Sequence, residues 1–349
     1  MTKSILKARA AAQQLAFGPM VFQAVRILWK SGVLTTIDDA PPPGPTLEQI
    51  SEKTDLSSYA LGVLLEVAES ADVISRSDGS LALTKTGSII LYDKMTQVNV
   101  DFVHDVCYQG LFLLDEALAT GKPAGLRVFS DAATIYDCIT ELPDDTQNSW
   151  YAFDHFYSDR AFKDAVGIVF ETRVTSLMDI GGNTGRWAMR CLKHDNDVEI
   201  TIADLPGQLT KAREIFAATP FASRVRYQEV DLLKGQVDWR AKFDVVWMSQ
   251  FLDCFSETQI ARILDCLRPA LTGSGRVFIM EPFVDRQKFA AATYSLNAIS
   301  LYFTAMANGN SRMYRSETVE RIVREQGYEI VATHNDIGLG QTLLECKAS

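Results

Sequence analysis

The residues best suited to chemistry lie in the second half of the chain, at Asp179-Ile180-Gly181-Gly182-Asn183-Thr184-Gly185, at Asp204 and at Asp231. Glycines let a ligand approach the main chain closely. The G-x-G-x-x-G spacing of a dinucleotide's pyrophosphate cradle fails here: counted from Gly181, its third and sixth positions are Asn183 and Arg186. Asp204 follows Asp179 by 25 residues, a placement in which a carboxylate accepts both hydroxyls of a ribose. Asp231 can accept from the exocyclic amine of adenine. A ribose carboxylate, an adenine acceptor and a glycine turn without a phosphate cradle describe a nucleoside cofactor lacking phosphates. S-adenosylmethionine (SAM) fits that description.

These residues need strand ends to hold them. Residues 174–180, 198–205, 225–233, 243–252 and 275–283 are apolar runs that read as strands, with helical stretches at 186–194, 208–219 and 260–271 between them. The alternation predicts a parallel, doubly wound sheet, and ligands bind beyond the carboxyl ends of such strands. The last two runs, 328–335 and 341–347, predict an antiparallel hairpin at the sheet edge. In the first part of the chain, residues 1–17 and 19–33 read as helical. Thr46, with Glu48 and Gln49 behind it, marks a helix start, and Ser57 opens a longer apolar helix. The turn Ser77-Asp78-Gly79-Ser80 joins two alternating runs. Helix, turn, helix, hairpin is the winged-helix order, and the proline run at 41–45 reads as a stiff exposed turn.

Composition narrows the class. The chain has 349 residues, 47% of them apolar and 22% charged, which is an ordinary globular balance long enough for about two domains. Its 34 Lys and Arg against 44 Asp and Glu leave a net charge of −10, which argues against nucleic acid or an anionic membrane as partner. Residues 57–74, the would-be recognition helix, hold no basic residue and carry Glu66, Glu69 and Asp72. A groove-reading helix needs the opposite chemistry, so an interaction or dimerisation module is expected instead. No run approaches the ~18 apolar residues of a membrane span, and residues 1–17 lack a signal-peptide centre. Six scattered cysteines and four histidines at no metal-ligand spacing predict reduced thiols, a cytoplasmic protein and no metal.

The strand-end glycines and acids, with ITIADLP, EVDLL, DVVWMSQFLDCFSE and GRVFIMEP, make the chain resemble the class I SAM-dependent methyltransferases, and most of all the plant-type small-molecule O-methyltransferase group with its bacterial members. The resemblance covers nearly the whole chain. It implies a Rossmann-like α/β sheet with the edge hairpin, preceded by a mainly helical winged-helix dimerisation domain. The expected domains are 1–100 for dimerisation, 101–165 as a helical connector lining an acceptor pocket, and 166–349 for SAM. Carried over by position, Gly181, Gly182, Asp204 and Asp231 would hold the cofactor, together with Asp179, Asn183, Leu205, Leu232 and Gln250, and with Ser249 where the group often has lysine.

The pattern breaks at the base. Where the group commonly has Leu-His-Asp-Trp, this chain has Leu252-Asp253-Cys254-Phe255, so Asp253 takes the place of the histidine that deprotonates the acceptor hydroxyl. Glu281 matches a carboxylate that orients the base, and Ser311 stands at a further acidic position of the group. Asp253 becomes a competent base if burial beside Glu281 raises its pKa. Alternatively, His155 or His104 supplies the imidazole and Asp253 orients it. The acceptor is expected near His104, Tyr108, His155 and Tyr157. The apolar segment 289–307, with Tyr302 and Met306, serves either as a core helix or as a pocket lid that continues into Asn310 and Arg312. A homodimer methylating a small aromatic or polyketide-like hydroxyl compound follows, at oxygen or carbon. Methylation of a thioether sulfur, which needs no base, and a non-catalytic SAM-binding regulator stay open as alternatives.

Overall fold

In the computed structural model, which describes residues 4–234 and 237–349, the Ser4 side chain accepts from the Lys7 amide and caps the first helix, α1 (Ile5–Lys30). The helix expected from residue 1 thus begins at Ile5; residues 1–3 lie outside the described residues. α1 runs through Pro19 as one piece, where two helices were expected. Gly32, left-handed at φ 79°, turns the chain into α2 (Val33–Asp38). Thr46 and Gln49 form a reciprocal capping box that starts α3 (Leu47–Ser51), and Ser57 caps α4 (Ser58–Ser70) by accepting from the Ala60 amide. The expected hairpin follows as β1 (Ile74–Ser77) and β2 (Ser80–Leu83), then α5 (Lys85–Tyr92) and α6 (Lys94–Phe102). Leu61, Leu65 and Ala68 recur along one face of α4 and pack with Leu28, Leu34, Ile50 and Leu81. That is the core of the first compact unit, Met1–Asp101. Pro41, Pro42 and Pro43 are exposed as expected, whereas Pro45 is buried.

The second unit, Phe102–Ser349, is built separately. The stretch expected to be a helical connector is short turns as far as residue 141, apart from α7 (Leu114–Thr120). The long helix α8 (Asp144–Val169) follows. The strands then come as β3 (Ser176–Ile180), β4 (Glu199–Asp204), β5 (Val225–Glu229), β6 (Phe243–Ser249) and β7 (Leu271–Glu281). Between them stand α9 (Arg186–His194), α10 (Pro206–Ala217) and α11 (Glu257–Leu267). After β7 come α12 (Ala290–Tyr302), a π-helical turn at Phe303–Ala307, α13 (Ser316–Glu325), and the hairpin β8 (Tyr328–Ile337) and β9 (Gln341–Ala348). The sheet order is β5-β4-β3-β6-β7-β9-β8, parallel through β7 and antiparallel in the edge hairpin.

Both faces of this sheet are covered, which is why its central strands are nearly continuous apolar runs. One face packs Leu177, Val245 and Trp247 against α8 and α9; the other packs Met178, Val246 and Met248 against α11 and α13. The order reverses beside β3: the chain proceeds outward to β4 and β5, then returns to place β6 on the other side. That reversal opens a crevice at the carboxyl ends of β3, β4 and β6. All six cysteines are free thiols. Among the described residues no helix is long and apolar enough to cross a membrane, and no group of His, Cys, Asp and Glu could hold a metal.

Candidate active site

The turn after β3 is shaped by what a Cβ would strike. Gly181 has φ 64°, and a Cβ there would lie 2.4 Å from the Phe251 ring. At Gly182 a Cβ would lie 2.9 Å from the Asp179 carboxylate. Asn183 is itself left-handed at φ 50°, and its amide donates to Asp204 Oδ2 at 2.8 Å. Asp204 Oδ1 accepts from the Leu205 amide at 2.7 Å. Two main-chain donors therefore fix this carboxylate at the end of β4, leaving lone pairs for a ligand. Burial pushes its pKa up to about 6. Asp231, past the end of β5, accepts from the Leu233 amide at 2.9 Å and pairs with Lys234 at 3.0 Å.

A cavity of about 440 Å³, of the size that holds small organic ligands, joins these strand ends to an aromatic chamber. Asp179, Gly181, Gly182, Asn183, Asp204, Leu205, Asp231, Leu232, Ser249 and Gln250 all line it, as do Asp253, His155, Tyr302 and Asn310. Buried Asp179 Oδ2, Asn183 Oδ1 and Ser249 Oγ have no hydrogen-bond partner among the described residues. Buried polar atoms are normally satisfied, so this wall is built for a polar guest. Unsatisfied oxygens beside an open glycine turn and a tethered carboxylate fit the amino-acid end and the ribose of SAM. The aromatic chamber is walled by Phe102, Phe153, Trp150, Tyr302 and Met313, with Phe102 stacked on Phe153 at 4.0 Å and the Trp150 indole donating to the Tyr302 hydroxyl at 2.8 Å.

Asp253 stands in the short turn Leu252–Cys254, buried, and burial together with the charge of Asp154 raises its pKa to about 7. Glu281 ends β7 and holds that turn: one carboxylate oxygen accepts from the amides of Phe251 and Leu252 at 3.0 and 2.8 Å. Its other oxygen is buried without a partner among the described residues, and burial with the charge of Asp253 drives its pKa well up. The two acids line a common space of about 10 Å³ with Met313 and Tyr314, at the lower bound for one water. From the far side the Asn308 side chain donates to the Cys254 carbonyl, and Ser311 donates to Asn308 at 2.8 Å.

The structure does not bring every expected residue to the cavity. His155 sits at the cofactor end, not against Asp253. Its Nε2 meets the Thr184 hydroxyl at 3.2 Å, and its Nδ1 meets Arg186 at 3.3 Å. Burial, with Arg186 and Lys211 nearby, lowers its pKa to about 4. With Nδ1 accepting from the guanidinium, Nε2 carries the proton and donates to Thr184, so no lone pair is left for an acceptor's proton. The expected Asp253–His155 pairing is absent. His104 bonds its neighbour Asp105 at 2.6 Å with Tyr108 beside it, and neither lines the cavity. Tyr157 packs on Phe153 and Phe156, Met306 is fully buried in the core against Gly110, and Arg312 is exposed. These three also lie outside the lining, as does Glu281 itself.

Other lining residues had no sequence reading. Asp154 accepts from the Asn183 side chain at 3.3 Å and from Gln250 at 3.4 Å. Tyr136 is set beside Cys254. A carboxylate inside the aromatic stretch around His155 was a signal for the first; nothing local marks the second.

Residues 159–329 match the model of an O-methyltransferase domain, and residues 9–80 that of a Dimerisation2-like domain. A 3-amino-4-hydroxybenzoate 4-O-methyltransferase of Streptomyces cremeus is 23% identical over 88% of this chain and 82% of its own length. The O-methyltransferase FrzF of a Cladobotryum species is 29% identical over 31% of this chain, and the match spans a quarter (25%) of that protein. Human N-acetylserotonin methyltransferase, solved with SAM, superposes with a TM-score of 0.67 over all of both chains at 17% identity, a likeness of fold. With the mostly parallel sheet and a crevice suited to a nucleoside, these matches establish that the chain belongs to the SAM-dependent small-molecule O-methyltransferases, a dimerisation domain followed by a methyltransferase domain.

Proposed function

We propose that the protein methylates a hydroxyl group on a small aromatic or polyketide-like molecule, with Asp253 as general base and Glu281 as the residue that positions it. One observation carries this reading: a single cavity runs from the glycine turn and Asp204 to an aromatic chamber, and Asp253 lines it. The hydroxybenzoate named for the Streptomyces relative supports an aromatic acceptor. SAM, when bound, supplies an electrophilic methyl group on a sulfonium. Asp204, Asp231 and the glycine turn would hold its nucleoside, while the stacked Phe102 and Phe153 orient the acceptor ring. Proximity and alignment then account for much of the rate.

Proton removal decides whether an aspartate can replace an imidazole. A solvated carboxyl near 3.9 and a phenol near 10 differ by ~6 units, about 8 kcal/mol uphill. At about 7 the gap shrinks to ~3 units, about 4 kcal/mol. Glu281 contributes by staying protonated, which keeps a second negative charge away from the base. A homodimer fits the dimerisation-domain match and the exposed Ile5, Leu15, Phe17 and Met20 of α1; light scattering should give the mass of two chains. Calorimetry with SAM and S-adenosylhomocysteine, followed by methyl transfer to a hydroxyarene panel with the product's methylated atom read by NMR, tests the function. A methyl ether is expected. A product methylated at carbon or sulfur would overturn the reading.

A further inference from the structure

The charges around the cavity are not evenly spread. Six aspartates line it, against one histidine and the two basic residues Arg186 and Lys234. Both basic residues belong to the cofactor end and are engaged there: Arg186 pairs with Asp159 at 3.0 Å and bonds His155, and Lys234 pairs with Asp231. The aromatic chamber is different. Phe102, Trp150, Phe153, Tyr302 and Met313 belong to one packed cluster, and among the described residues lining the cavity no Lys or Arg beyond those two, and no His beyond His155 at the cofactor end, stands with them. Its polar groups include Asp253, Cys254, Tyr136, the paired Trp150 indole and Tyr302 hydroxyl, and the amides of Asn308 and Asn310. The Asn308 amide group already donates to Cys254.

Two carboxylates, moreover, bear on the place where the chamber meets the cofactor crevice. Asp253 lies in the turn after β6, and Asp154 projects from α8 to Asn183 and Gln250. The two are close enough for the charge of Asp154 to raise the proton affinity of Asp253. A third negative charge brought there would be buried without a cation and opposed by both. An unpaired buried charge costs several kcal/mol, and like charges disfavour one another's ionisation. An uncharged ring meets no such penalty, and a protonated nitrogen would gain from the acids and from the aromatic faces.

We propose that this enzyme selects uncharged or protonated hydroxyarenes and discriminates against arenecarboxylates, with Asp154 and Asp253 as the specificity-determining pair. The inference rests on the hydroxyl-methylation reading above, and it sets this chain apart from a relative whose named acceptor is a benzoate.

The test compares 6-hydroxy-2-naphthoate, its methyl ester and 2-naphthol with the full-length protein at pH 8, where the naphthoate is ionised and Asp154 and Asp253, each at about 7, are largely so. The kcat/KM of the ester and of 2-naphthol should exceed that of the acid by at least about tenfold. In the Asp154→Asn variant the acid-to-ester ratio should rise at least threefold, and because it is a ratio within one protein, any loss of folded material cancels. Calorimetric binding of the three arenes to the S-adenosylhomocysteine complex reads the same ranking without turnover. Binding in the expected order without transfer therefore counts against methylation and for charge selection. An acid that binds as tightly as its ester, or a ratio unmoved by Asp154→Asn, overturns the proposal.

Discussion

At the scale of single residues, an aspartate as the proposed base, at the position where the family commonly has histidine, changes the pH at which the base is ready. Burial holds its pKa near 7, so the ionised, proton-accepting form accumulates only as the pH rises through that value. The kcat/KM for a hydroxyarene should therefore rise about tenfold between pH 6 and 8 and then level off. If His155 were the base, with a pKa near 4, the same window would be flat. Asp253→Asn keeps the shape and removes the acceptor of the proton. It should lower kcat by ~10²–10⁴, abolish the rise around pH 7 and leave the affinity for SAM within about twofold, read by steady-state kinetics and calorimetry. A variant that keeps its rate and its profile would remove Asp253 from the chemistry.

At the scale of elements, the glycine turn after β3 leaves room for the proposed cofactor by being empty of side chains. Gly181→Ala places a methyl group into the Phe251 ring at a left-handed φ of 64°, where an L-residue costs about 1–2 kcal/mol before any clash. The turn must move, and the Asn183–Asp204 bond that fixes the carboxylate proposed to hold the ribose moves with it. SAM affinity should fall at least about tenfold, while the far-UV circular dichroism spectrum stays that of the parent. This part of the fold was legible in the sequence because glycines, capping residues and apolar runs are local signals: β3 through β7, the edge hairpin and the caps at Thr46 and Ser57 all stand within a few residues of their expected places. What escaped depends on partners far apart along the chain. Asn183 to Asp154, His155 to Arg186 and Asn308 to Cys254 have no period. The 103–141 stretch is irregular because its side chains, Tyr136 among them, are fixed by packing against the turn after β6 and the segment 302–313. The same cause keeps His104 and Tyr108, which the family resemblance placed at the acceptor, out of the cavity lining, and leaves Met306 in the core, one of the two readings its segment had.

At the scale of the whole molecule, the second unit gathers carboxylates where their charge is hard to solvate, and this couples stability to pH in a definite direction. Burial raises Asp154 to about 7, Asp204 to about 6 and Asp253 to about 7, with Asp179 and Glu281 shifted the same way. In the unfolded chain these groups ionise near 4. His155, held at about 4 against about 6.5 unfolded, opposes them up to about pH 6.5, but the three aspartates outweigh that one group. Through about pH 6 to 8 the native state therefore binds more protons than the unfolded one, and unfolding free energy falls as the pH rises. Asp244 and Asp285 are shifted downward by their hydrogen bonds to residues 175–176 and 316. What they contribute is complete above the unfolded value and is lost only in acid, so it does not reverse the trend in this window. The melting temperature of the ligand-free protein should fall from pH 5.5 to pH 8. A cationic cofactor relieves the same strain, so the rise in melting temperature produced by a fixed, saturating SAM concentration should be larger at pH 8 than at pH 5.5. A ligand-free melting temperature that climbs steadily across the window would mean that these acids are already ionised at pH 5.5, and Asp253 would then be too weak a base for a phenol.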